Sequence, residues 1–136
     1  MEWVYLIVPV VANVTDHLVK FIVKLIADKD TKLKTFFCSG GVMSAHSATV
    51  FSLATIIGLL NGFDSALFAL ALLFAAVVAY DSINVRRATG EQGDALDKLV
   101  NSKQKPFNAH GHTPREMVLG SIWGIAVGIV TYLIMF

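Results

Sequence analysis

Several groups of residues in this sequence have the types and spacing that chemistry can use. Ser39-Gly40-Gly41, followed by Ser44, His46 and Ser47, puts backbone amides and hydroxyls just ahead of a long apolar run. A glycine pair leaves N–H groups uncovered at a helix start, where the backbone carries partial positive charge, so this stretch is built to hold an anion. Ser44 either adds a hydroxyl to such a site or simply caps the helix. His46, one turn into an apolar segment, needs a polar partner, either as a proton donor or as a structurally satisfied residue. Arg86-Arg87 suits the bidentate geometry of a phosphate, against the alternative that the pair anchors topology or balances Asp81. In Gly111-His112-Thr113-Pro114-Arg115-Glu116 a capping box accounts for Thr113, Pro114 and Glu116 and leaves His112 unexplained. Lys20 completes the set, on one helical stripe with Asp16 and Lys24. His46, His112, Asp81 and Glu116 have the composition of a metal site but no close ligand spacing, so neither metal nor other cofactor is expected.

The elements that must position these residues are membrane helices. Of the 136 residues, 55% are apolar, well above the soluble norm, and the length suits one domain, residues 1–136. A bilayer core needs about 20 mostly apolar residues per helix. Met117–Phe136 meets this without a single charge, and Ala45–Gly62 and Ser65–Tyr80 follow one another across the turn "NGFD" as an antiparallel hairpin with Asp64 as the expected N-cap. The first segment is less regular: "WVYLIVPVVANV" holds Pro9 and runs into "TDHLVKFIVKLIADKD", so it either spans with a polar stripe or lies partly at the interface. The expectation is an all-α, integral membrane four-helix bundle, with an extramembrane loop or short helix between helices 3 and 4. The N-terminus lacks the basic region of a secretory signal and is read as part of the mature protein. A single cysteine, Cys38, excludes an internal disulfide.

All 11 basic residues fall in two groups, one at the end of the first segment and in the loop after it, one from Arg86 to Arg115. Four spans put both groups on one side, which the positive-inside rule makes cytoplasmic in a multi-pass protein of the cell membrane. The four chemical clusters share that side. Stripes of small residues, Gly120-Gly124-Gly128 and Ala54-Gly58-Gly62, suit either an intramolecular bundle or a homodimer. Nothing points to a nucleic-acid partner.

Together these residues resemble the type-2 phosphatidic acid phosphatase superfamily, and more closely its small divergent branch, related to acid phosphatases and vanadium-dependent haloperoxidases. The branch motif Gly-Gly-Met-Pro-Ser-Ser-His-Ser is matched by Gly40-Gly41-Val42-Met43-Ser44-Ala45-His46-Ser47. Asp-x4-Arg-Arg-x2-Gly-Glu-Gln is matched by Asp81, Arg86, Arg87, Gly90, Glu91 and Gln92, and Gly-His-Thr-Pro-x-Glu-Val by Gly111 to Met117. The resemblance runs from about Lys20 to the C-terminus. Relative to the parent superfamily, residues 88–109 form an insertion between arginine and histidine, expected as a surface helix around "DALDKLV" and a loop. Ala27 stands where the first motif has arginine, with Lys24 as the nearest substitute, and Met43 and Ala45 also depart from the pattern.

The resemblance implies a metal-independent phosphatase acting on a lipid phosphate or pyrophosphate. It makes His112 the nucleophile, Glu116 its orienting group and His46 the general acid and base. Lys20, Arg86, Arg87, Ser44, Gly40 and Gly41 would bind phosphate, with Asp81, Lys24 and Glu91 in support. The rival readings are an inactive relative that binds or carries lipid phosphates and a purely structural bundle.

Overall fold

The computed structural model describes residues 2–27, 42–100 and 111–136. They form helices α1 (Val4–Ala27), α2 (Ala45–Asn61), α3 (Ala66–Ile83), α4 (Val85–Val100) and α5 (Pro114–Met135). Three helical stretches are long and apolar enough to cross a membrane, Val4–Ile26, Pro114–Met135 and the one that begins at Ala66, while Ala45–Asn61 is a shorter apolar helix. In hydrocarbon every backbone group must find its partner within the segment, which is why such sequences become helices. The first element is more regular than its sequence suggests. It is one helix of 24 residues that continues unbroken through Pro9, with a length of about 36 Å.

The caps follow local chemistry with one correction. Ser65, not Asp64, caps α3, its Oγ accepting from the Phe68 amide at 3.1 Å. Gly62 ends α2 with φ of 89°, a conformation that disfavours any side chain, and a Cβ there would meet Asp64 Oδ1 at 2.6 Å. The expected helix of the insertion is longer than "DALDKLV": α4 begins at Val85, one residue after the Asn84 cap of α3, so both arginines sit in its first turn.

α2 is the central helix, packed against α5, α1 and α3, while α1 also touches α5. Much of the buried surface is made of small residues, beside a cluster of Val4, Val8 and Ile56. Gly120 and Gly124 lie against the backbone of Ser44 and Ala48, and Gly128 against Thr55 and Ser52. Close backbone approach gains dispersion contacts that lipid tails cannot match, the main attraction between helices in a bilayer. The small stripe of α5 is therefore used within the chain, and Gly58 is covered by Phe63 and Phe68. Polar bonds join the helices as well: Asn13 donates to Thr49 Oγ1 at 3.1 Å, and Trp123 Nε1 donates to Thr15 Oγ1 at 3.2 Å. The large apolar side chains face outward, among them Leu6, Val10 and Val14 on α1 and Leu70, Leu73 and Val77 on α3. That inverted arrangement is stable where the surroundings are hydrocarbon.

Candidate functional site

The C-terminal half of α1, the start of α2, the α3–α4 junction and the start of α5 meet at one end of the bundle. Two backbone bonds fix the arrangement. The His112 amide donates to the Ser82 carbonyl at 3.1 Å, and the Ser44 amide donates to the Glu116 carbonyl at 2.9 Å. Gly111 lies so close to the backbone of Arg86 and Arg87 that a Cβ has no room. The His112 segment is thus wedged between the α3–α4 junction and the first turn of α2.

Histidines 46 and 112 come together, their ring centroids 6.3 Å apart although 66 residues separate them in sequence. His112 is buried, while His46 lies on the exposed side of α2. Arg86 Nη1 stands 3.3 Å from His46 Nε2, and Arg86 Nε donates to Asp81 Oδ2 at 2.6 Å. Lys20, only 4% exposed, pairs with the fully buried Asp16 at 2.6 Å. Its charge is close enough to be felt at both imidazoles.

Glu116 serves two neighbours with one oxygen. Its Oε2 accepts from the Thr113 amide at 2.9 Å, while the Thr113 hydroxyl accepts from the Glu116 amide, so the capping box is complete. The same Oε2 stands 3.4 Å from His112 Nδ1, within ion-pair range but not aligned as a hydrogen bond. Burial pushes the His112 imidazole below its ordinary 6.5; the Glu116 charge works against this, Lys20 adds to it, and Asp16 opposes it. The neutral form, with a lone pair to offer, is the one the site favours at neutral pH.

The two arginines part company. Arg86 reaches His46, whereas Arg87 pairs with Glu91 at 3.1 Å, one turn further along α4. Ser44 is the N-cap of α2, fully buried, with its Oγ accepting from the Ser47 amide at 3.4 Å. Lys24 lies in the last turn of α1. Gly40, Gly41 and the part of the insertion from 101 to 109 lie outside the described residues. Sequence reasoning passed over Asp16 and Gly111. Asp16 stood in the Lys20 stripe and Gly111 in the histidine motif, but only burial and backbone contact distinguish them from neighbours.

The model of the divergent PAP2 family matches residues 1–127. The chain belongs to the divergent PAP2 family. That match reaches further towards the N-terminus than the motifs and takes in the whole of α1. The chain is also 31% identical to the uncharacterized membrane protein YuiD of Bacillus subtilis (strain 168), with 84% of each chain covered. No solved structure matches it. The family suggests a phosphatase-related membrane protein, and the histidine pair lies within the family's matched region.

Proposed function

We propose that this protein is a membrane phosphatase that hydrolyses a lipid phosphate or pyrophosphate through a phosphohistidine on His112. The observation that carries the reading is the histidine pair, 6.3 Å between centroids, with Arg86 against one ring. In the first step Nε2 of His112, the nitrogen turned away from Glu116, attacks phosphorus, and the bond from phosphorus to the leaving oxygen breaks. The leaving oxygen takes a proton from His46. Water then attacks phosphorus while His46 takes its proton, the phosphorus–nitrogen bond breaks, and inorganic phosphate leaves. Lys20 and Arg86 stabilise the equatorial oxygens, a role that the electrostatics of phosphoryl transfer leave to fixed cations. A lipid substrate suits a site at the end of a bundle, since its tails stay in the bilayer. The basic end is read as the cytoplasmic face of the cell membrane.

One observation favours a second reading, a catalytically weak relative that binds or carries lipid phosphates. Three cations of the site already have a carboxylate: Lys20 has Asp16, Arg86 has Asp81, and Arg87 has Glu91. Ala27 in place of the first-motif arginine points the same way. The experiment is phosphate release from a panel of lipid phosphates in detergent with chelator present, comparing the parent chain with His112→Ala. Release abolished by the substitution is expected. Unchanged release removes His112 as nucleophile, and no release from any substrate favours the binding protein.

A further inference from the structure

Arg86 stands between two partners in a way that bears on the proton of His46. A guanidinium has only N–H groups to offer and keeps its charge at any ordinary pH, so across the 3.3 Å contact His46 Nε2 must be the acceptor. The ring is then neutral, with its proton on Nδ1. An imidazole held in this way has no proton on Nε2 to give, although Nε2 is the nitrogen that faces the guanidinium. The acid required by the chemistry is therefore unarmed while this contact holds.

An entering phosphate changes the competition. It accepts two parallel, charge-assisted bonds from a guanidinium, a better partner than one neutral ring nitrogen. Arg86 is able to respond, because its side chain is 45% exposed and that of Asp81 is 37% exposed. The carboxylate grips Nε, which leaves the Nη groups to choose between His46 and an anion. Among the described residues, the charged and titratable groups that act on His46 are Lys20 from α1, Asp81 from α3, Arg86 from α4 and His112 ahead of α5. Lys20 and Arg86 are the cations among them, and a bound dianion offsets both charges at once.

We propose that Arg86 couples phosphate binding to the arming of His46: an oxyanion draws the guanidinium away from Nε2, and Nε2 takes up one proton from solvent. Asp81 is the positioning residue that keeps Arg86 within reach of both partners. The inference rests on the reading of this end of the bundle as a phosphate site, and adds to it an order of events. Binding precedes protonation, so the acid is loaded only when an anion is in place.

The test is nitrogen NMR of the full chain with 15N-labelled histidine in detergent micelles at neutral pH, with inorganic phosphate as the probe. Signals of His46 are identified by their loss in His46→Gln. The expected result is an unprotonated Nε2 in the empty protein, protonated at both ring nitrogens once phosphate is added. In Arg86→Gln the empty-state preference for the Nδ1–H ring is expected to disappear. An Nε2 already protonated without phosphate overturns the proposal. So does a titration in which His112 signals move and those of His46 do not, which leaves the phosphate site standing. If no histidine signal responds at any phosphate concentration, the phosphate reading falls together with the coupling.

Discussion

At the scale of the residue, one oxygen of Glu116 both closes a helix cap and faces the histidine proposed as nucleophile. Its Oε2 closes the capping box of α5 and also faces His112 Nδ1 at 3.4 Å. Glutamine fills the same box position as glutamate, so Glu116→Gln keeps the cap and removes only the charge. Without that charge His112 falls further below 6.5, because Glu116 is the stronger of the two carboxylates that raise it. On the proposed mechanism the nucleophile is neutral His112, so activity rises with pH through its pKa. The acid limb of kcat/KM is therefore expected below 6.5 in the parent chain and lower still in Glu116→Gln, with kcat down about 10²-fold or more. A pH–rate profile of both proteins checks this, and an acid limb that stays in place would reduce Glu116 to a cap. Asp16 makes the complementary case in stability. Its carboxylate is fully buried and its described ion-pair partner is Lys20, so Asp16→Ala strands a buried ammonium. The expected loss is about 3–5 kcal/mol, read as a fall in thermal midpoint in detergent. The double change Asp16→Leu with Lys20→Met should cost less, since no charge is left alone.

At the scale of the element, the glycines of α5 decide how near its neighbour can come. A Cβ on Gly124 would run into the Ala48 carbonyl, which is backbone and cannot swing aside. Gly124→Ala is expected to destabilise by about 1–3 kcal/mol, measured by thermal unfolding in detergent. Val118→Ala on the same helix serves as the control, because that side chain is 48% exposed on the outer face and its loss should change little. The same elements show what the sequence makes legible. Apolar runs marked the four helices of the bundle, and the Thr113 capping box was readable to the residue because its signature is local. Adjacent candidates were not separable: Asp64 and Ser65 are both good caps, and geometry chose Ser65. Arg86 and Arg87 are equivalent in sequence, yet neighbours on a helix point about 100° apart, so one meets His46 and the other Glu91. The burial of Asp16 depends on α1 packing against α2 and α5, a long-range fact with no local signature.

At the scale of the whole molecule, charge and chemistry lie at the same end. Lys20, Lys24, Arg86, Arg87 and Arg115 belong to the end that holds the histidine pair, together with the acids Asp16, Asp81, Glu91 and Glu116, whereas the charged residues described at the opposite end are the acids Glu2 and Asp64 alone. On the proposed reading this asymmetry of bases governs more than orientation, because the end that holds the histidine pair would take its lipid headgroup from the leaflet it faces. Topology and substrate supply are therefore a single question. In a Cys38→Ser background, cysteine at position 64 is expected to react with a membrane-impermeant thiol reagent on intact cells. Cysteine at exposed position 115 should react only after the cells are opened. The reverse pattern would turn the histidine pair outward and make the outer leaflet the source of substrate. Since the helix packing is unaffected by which way the bundle faces, that result would change the leaflet from which the proposed reaction draws and leave the roles proposed for His46 and His112 unchanged.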